Sequence, residues 1–241
     1  ALGVFPPRDA GNLYLYHKPL DQIENDFKQQ GIPISTELLA GSPAEVILET
    51  AEANPTDLIV LGAKGLRATL AILLGGVAQQ VVEYSRQPVL IVRAPYTGIQ
   101  RALLVTDGSP HSQQAVEYLG HFRLPPGTDL KVLSVLPPLS TLHTAAGFQR
   151  MPINPSGAML LETETINAVS AIEEEEEQEG QALLHKTVDR LNQILPEKAA
   201  IKVSSLLMRG DAATEIIQCV KNLQIDLVIA GSLGTSRGRH W

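Results

Sequence analysis

The stretch Asp57–Arg93, DLIVLGAKGLRATLAILLGGVAQQVVEYSRQPVLIVR, decides the fold. It opens on a short apolar run, Leu58 to Leu61, too short for a helix and closed by glycine, which is the pattern of a buried strand. Gly62 and Gly65 follow, then nine residues, then Gly75 and Gly76. A helical period comes next, with Ala78, Val81, Val82 and Ser85 on one face, and Pro88 introduces a second apolar strand at Val89–Val92. A strand that runs into glycines and then a helix is a layout that cradles phosphate. Glycine lets the backbone turn at positive φ and lets an anion approach exposed N–H groups. An ordinary tight turn between strand and helix carries the same glycines.

Working outward, Ser42-Pro43 reads as an N-cap and first turn ahead of a helix whose stripe is Ala44, Ile47, Leu48 and Ala51, and Asn54-Pro55 ends it. Before it, Ile34 to Leu39 alternates as a strand and Asp21 to Gln30 reads as a short polar helix stopped by Gly31 and Pro33. Residues 1–19 are punctuated by proline and glycine, with one strand at Leu13–Tyr16. On the other side, residues 94–100 form a linker. Ala102 to Thr106 is then a buried strand ending in Asp107-Gly-Ser-Pro110, where Ser109 and Pro110 again suggest an N-cap and first turn. The next helix sets Ala115, Leu119 and Phe122 on one side, and Leu130–Val135 is a strand closed by Pro137-Pro138. Residues 137–160 read as a loop leading into a long helix. The run Glu173 to Glu177 lies early in that helix as a solvated face, and Leu184, Val188, Leu191 and Leu195 form its apolar stripe.

An internal repeat sets the architecture. A shift of 169 residues lays Gly41–Gly65 on Gly210–Gly234 without a gap. Gly41, Ala44, Ile47, Asp57, Leu58, Gly62 and Gly65 meet Gly210, Ala213, Ile216, Asp226, Leu227, Gly231 and Gly234. Two copies of one α/β unit are implied, divided as 1–95 and 99–241. Alternating strands and helices imply right-handed crossovers and a parallel sheet with both faces covered.

Gly-x2-Gly-x9-Gly followed by a small residue, with Pro88-Val-Leu-Ile-Val-Arg93 as a closing strand, resembles the nucleotide loop of the universal stress protein family in its ATP-binding branch. The small residue there is Ser or Thr, whereas this chain has Gly76, which keeps a backbone donor and lacks the hydroxyl. The resemblance implies a Rossmann-like parallel sheet in strand order 3-2-1-4-5, with ligand outside the carboxyl ends. Against that template copy one lacks its first strand and first helix, so its central strand is absent, and copy two lacks its last helix and strand. Both copies read as incomplete. The resemblance also implies that Asp107 accepts hydrogen bonds from a nucleoside, with Ser109 nearby and Val135 offering backbone contacts to adenine. Gly210 would then give the ligand room, and Gly231 and Gly234 would begin the phosphate turn, as Gly62, Gly65, Gly75 and Gly76 would in copy one. The other reading of Asp107-Gly-Ser-Pro is a turn and helix cap, and that of Gly41 and Gly210 is a plain turn glycine. Lys64 and Arg67, and Arg237 and Arg239, are loop cations that either neutralise phosphate or are simply solvated. The ligand implied is ATP, or AMP or ADP, with Mg.

Composition narrows the remaining classes. In 241 residues with 44% hydrophobic side chains the formal charge is −7, and the glutamate run supplies five of those negatives. The balance leaves no field for nucleic acid and no basic membrane face. No apolar run spans a bilayer and no charged n-region precedes an apolar segment, so a cytoplasmic location without direct membrane insertion is expected. Cys219, the single cysteine, reads as a buried inert thiol. No Walker loop or Gly-x-Ser-x-Gly elbow occurs, and none of the six histidines, His143 and His240 included, sits at metal-ligand spacing. A sheet-related ligase or nucleotidyltransferase needs a Ser-Gly-Gly-x-Asp loop or paired histidines after the first strand, and Asp107-Gly-Ser-Pro-His111 provides neither. Two readings stay open. One is a nucleotide-binding stress-response or regulatory module, non-catalytic or with slow ATP turnover. The other is a dimerisation or regulatory domain that binds no nucleotide, such as the cytoplasmic tail of a membrane transporter. The apolar edge strand Val89–Val92 suits pairing in a homodimer or an intramolecular pseudo-dimer.

Overall fold

The computed structural model describes residues 2–5, 14–63, 75–138 and 163–231. The chain divides into two compact units, Ala1–Tyr96 and Thr97–Trp241.

The first unit runs β1 (Leu2–Phe5), α1 (Tyr14–Gln29), β2 (Glu37–Ala40), α2 (Pro43–Ala53), β3 (Ile59–Gly62), α3 (Gly76–Tyr84) and β4 (Val89–Val92). Its strands form two separate parallel ladders. Leu2 to Phe5 lie against Glu37 to Ala40, and Ile59 to Gly62 lie against Val89 to Val92. Ala44, Ala51, Ile59 and Val81 make the buried core, because the small-residue stripe of α2 lets α3 approach closely enough to bury Val81 completely. The expected strand at Leu13–Tyr16 is absent: α1 begins at Tyr14 and continues through Pro19. The Leu20, Ile23 and Phe27 spacing is helical, and that period outweighs the punctuation that suggested a break. Strand β1 was not expected, because three apolar residues and a glycine at 2–5 give too little periodicity to read.

The second unit runs β5 (Arg101–Val105), α4 (Pro110–Leu119), β6 (Asp129–Leu136), α5 (Thr163–Ile194), a single 3₁₀ turn at Glu197–Ala199, β7 (Lys202–Arg209), α6 (Ala212–Asn222) and β8 (Leu227–Ala230). All four strands are parallel in the order β7-β6-β5-β8, which is 3-2-1-4 of the expected arrangement. One face of the sheet packs Ala102, Leu104, Leu130 and Val132 under α4 and α5, with Val116, Leu119, Leu184 and Leu191 closing the layer. The other face packs Leu103 and Leu133 under α6 with Cys219, whose thiol is pushed up by burial. The expected stripe of α5 is the one that is buried. The glutamate run is not wholly a solvated face, however. Glu176 pairs with Arg209 at 2.7 Å, with the two side chains 22% and 23% exposed, and so ties α5 to the end of β7.

Candidate functional site

In a parallel sheet every carboxyl end opens on the same edge. In the second unit that edge gathers Thr106–Pro110 after β5, Val135 at the end of β6, Gly210 after β7 and Gly231 after β8. Asp107, Ser109, Val135, Gly210 and Gly231 therefore lie along one edge of the sheet, while Gly234, Arg237, Arg239 and His240 lie outside the described residues.

The β5 exit is a tight hydrogen-bonded turn. Asp107 is exposed, and its Oδ1 accepts from the Ser109 amide at 3.0 Å. Gly108 takes φ +75°, which an L side chain rarely adopts. Ser109 is buried and caps α4, its hydroxyl accepting from the Ser112 amide at 3.2 Å. Beneath the turn lie two further buried hydroxyls that sequence reasoning did not single out. Thr106 Oγ1 accepts from the Gly108 amide at 3.3 Å and donates to Ser112 Oγ at 3.2 Å, and Ser112 Oγ donates to the Ser109 carbonyl at 3.0 Å. The Ser-x-x-Ser spacing of Ser109 and Ser112 was the available signal.

The β5–β6 ladder closes with the Thr106 amide on the Leu133 carbonyl at 2.9 Å. Backbone groups alternate sides along a strand, and the Gly210 amide meets the Leu136 carbonyl on the β7 side. Val135 has the parity of Leu133, so its peptide groups face the β5 side, beyond the last β5–β6 pair.

Gly210 stands at φ +155° between β7 and α6, and Asp211 caps that helix by accepting from the Thr214 amide at 3.0 Å and hydroxyl at 2.7 Å. Those bonds hold the Asp211 carboxyl below its usual range. Gly231 meets the first turn of α4: a Cβ there would lie 2.7 Å from the His111 carbonyl carbon and 2.7 Å from the Ser112 nitrogen.

In the first unit, Gly62 ends β3 and Gly75 caps α3, and Gly65, Lys64 and Arg67 lie outside the described residues. The Ala63 amide donates to the Val92 carbonyl and the Gly75 amide to the Ala63 carbonyl, each at 2.8 Å, so the loop leaves and returns at one point beside β4. None of Gly62, Gly75 and Gly76 uses a positive φ. The first helical bond is Gln79 N–H to Gly75 O, which leaves the amides of Gly76, Val77 and Ala78 ahead of the α3 ladder. A Cβ on Gly76 would meet nothing within 4 Å.

Beside the Asp107 turn, where Gln113 Nε2 donates to the Gly108 carbonyl at 2.9 Å, α4 and α5 border a groove lined by Gln113, Leu183, Lys186, Gln193 and their neighbours and bridged by Arg190 and Glu117 at 2.6 and 2.5 Å. The guanidinium holds the Glu117 carboxyl below its usual range. Among the described residues no group of three or more His, Cys, Asp or Glu is placed to hold a metal ion. No helix among them is long and apolar enough to cross a membrane.

The family model described as the universal stress protein family matches residues 8–93 and, separately, 98–241. A universal stress protein of Methanocaldococcus jannaschii is 41% identical over 76 residues, covering 32% of this chain and 45% of that protein. One from Thermus aquaticus is 48% identical over 56 residues, 23% of this chain and 41% of that protein. One from Mycolicibacterium smegmatis is 25% identical over 208 residues, 85% of this chain and 60% of that protein. These alignments span less than two thirds of each relative. The crystal structure of a universal stress protein from Archaeoglobus fulgidus shares the fold at a TM-score of 0.50 and 18% identity, covering 88% of this chain and 64% of that one.

Proposed function

The chain belongs to the universal stress protein family, and on that premise we propose that its second unit binds an adenine nucleotide at the carboxyl edge of the β7-β6-β5-β8 sheet. The observation that carries the reading is the placement of an exposed Asp107 just past the end of β5 and of Val135 near the end of the neighbouring strand β6, on the same carboxyl edge of the sheet. A carboxylate is an acceptor for nucleoside hydroxyls, and a strand's outward N–H and C=O complement the donor and acceptor edge of adenine. Ser109 supports this by fixing the turn that bears Asp107. Gly210 sets the turn from β7 into α6, with the Glu215 side chain over it, at the same edge of the sheet, and Gly231 with Gly234 is read as the start of the phosphate turn. The first unit offers a second loop of the same kind, Gly62-x2-Gly65 to Gly75-Gly76, with the leading amides of α3 as donors.

ATP is the reference ligand and ADP and AMP are its shorter relatives. With no acidic side-chain cage among the described residues, Mg would enter on the phosphates. The protein is read as a stress-response regulator whose shape or pairing follows nucleotide occupancy, not as a metabolic enzyme, and a cytoplasmic location follows from that role. Homodimerisation or an intramolecular pseudo-dimer through the β4 edge is part of the proposal, since β4 pairs only with β3 among the described residues.

A second reading, a regulatory domain that binds no nucleotide, draws on Gly231, whose bareness is already accounted for by its contact with α4. Calorimetric titration of the full chain with ATP and with AMP separates the two. Saturable binding abolished by Asp107→Ala supports the first, and no saturation at millimolar nucleotide supports the second.

A further inference from the structure

We infer that Thr106 and Ser112 are positioning residues for the nucleotide site, holding the Asp107 turn from below through a one-way chain of buried hydroxyl bonds; this rests on the nucleotide reading just proposed. The chain runs from the Gly108 amide to Thr106 Oγ1, from Thr106 to Ser112 Oγ, and from Ser112 to the Ser109 carbonyl, at 3.3, 3.2 and 3.0 Å. Each hydroxyl gives its one proton and accepts one, so the direction is fixed. Thr106 and Ser112 are each 3% exposed, which removes water as a substitute partner.

Three features place the effect at the ligand and not merely in the core. The bonds grip the residues on both sides of Asp107 and none grips Asp107 itself, so they set where its carboxylate stands while leaving it on the surface. The Ser109 amide that holds Asp107 Oδ1 belongs to the same turn whose carbonyl Ser112 anchors. Ser112 also supplies the backbone nitrogen that Gly231 packs against. One serine thus touches the nucleoside end of that site through its side chain and the phosphate end through its backbone. Losing the chain lets the two ends drift, and an interaction geometry loosened by about an ångström is enough to weaken recognition markedly.

Thr106→Val keeps the shape and removes the first two links, Thr106→Ser keeps the hydroxyl, and Ser112→Ala removes the last two. Thr128→Val removes an equally buried hydroxyl near the opposite edge of the sheet as a control. Two readouts apply to the full chain: ligand-free amide hydrogen exchange at Gly108 and Ser109, and calorimetric affinity for ATP. Thr106→Val and Ser112→Ala are expected to speed exchange at those amides and to weaken ATP binding by about five- to tenfold, the equivalent of one net hydrogen bond. Exchange at Leu104 and Leu133 should stay slow, and Thr106→Ser and Thr128→Val should match the unsubstituted chain in both readouts. Wild-type exchange at Gly108 and Ser109 in both variants overturns the inference, as does faster exchange with unchanged ATP affinity. Should the unsubstituted chain bind no ATP, the nucleotide reading fails and the functional role of the hydroxyl chain with it. The ligand-free exchange rates then report the turn by themselves.

Discussion

Gly41 and Gly210, which the 169-residue shift lays on each other, hold φ of +154° and +155°. The residues that follow, Ser42 and Asp211, agree as closely, at φ −70°, ψ 118° and φ −72°, ψ 122°. The duplication is therefore preserved at the level of backbone torsions, and the glycine is demanded by the strand-to-helix turn before any ligand is considered. Replacing either glycine with alanine should destabilise its own unit by about 1–3 kcal/mol, the range for a residue held in sparsely allowed backbone space. Gly41→Ala should be the worse of the two. Its Cβ would meet Val46 Cγ2 at 2.7 Å, a branched side chain with a stiff χ1, whereas at Gly210 the neighbour is the flexible Glu215 carboxylate at 2.6 Å. Hydrogen exchange resolved by residue is the measurement, since a two-unit chain need not unfold in one step.

Gly231 makes a sharper demand. A methyl group there would press on the backbone of His111 and Ser112, which cannot rotate away as a side chain can. Gly231→Ala should cost about 1–3 kcal/mol through overpacking. It should also push β8's exit from the first turn of α4, so ATP affinity should fall by more than the same substitution at Gly76 causes. Unchanged stability and affinity would show that α4 yields freely and that the contact sets nothing.

At Gly76 the opposite holds, because a Cβ meets open space at the first position of α3. Gly76→Ser should fit without strain and gain about 0.5 kcal/mol of helix stability from the lost glycine. It would place a hydroxyl beside the leading amides of α3, restoring the small hydroxyl residue that the glycine loop otherwise lacks. The expected outcome is a second equivalent, or a tighter first equivalent, in calorimetric ATP titration. An unchanged isotherm would assign nucleotide binding to the second unit alone.

Asp226 illustrates a repeated residue whose job is structural. Its Oδ2 accepts from the Gln100 and Arg101 amides, both at 2.9 Å, and so pins the start of β5 at the edge opposite the carboxyl ends. Those two backbone bonds hold its carboxyl below the usual range. A carboxyl depressed in the folded state contributes stability above its unfolded value, about 3.9, and that contribution is lost as pH falls through the folded value. Asp226→Asn should lower the melting temperature at pH 7 and flatten the acid limb of the stability profile. The side chain is largely exposed, so the effect will be small, and nucleotide affinity should not move.

How much of this was legible follows from period and spacing. Helices α2, α3, α4 and α5 announced themselves by stripes such as Leu184, Leu191 and Leu195, α6 by its place in the repeat, and the strands around Ile59 and Leu103 by short apolar runs bounded by glycine or aspartate. Strand β1 did not, because Leu2 to Phe5 is too brief to show a period and its partner Glu37–Ala40 lies more than thirty residues on. Nor did Thr106 and Ser112. A hydroxyl at a strand end or in a first helical turn looks like any other polar residue until the fold buries it. The tie between Glu176 and Arg209 was hidden for a related reason: in a run of five glutamates nothing marks the one that faces β7.

The repeat also predicts where identical positions differ in energy. Ile59 and Val228 are aligned by the same shift, yet Ile59 is 7% exposed beneath α2 and α3 while Val228 is 44% exposed. Leu48 is partly buried against that core, whereas its counterpart Ile217 is 52% exposed. Ile59→Ala leaves a hole in a packed cluster and should cost about 2–5 kcal/mol, with Val81→Ala somewhat less because fewer methyl groups are lost. Val228→Ala and Ile217→Ala remove surface that is already half in water, and each should stay within about 1 kcal/mol of the parent. Residue-resolved hydrogen exchange separates the units and tests the contrast directly. If Val228→Ala proved as costly as Ile59→Ala, its face would have to be covered in solution, and light scattering on the same samples would show whether a second copy covers it.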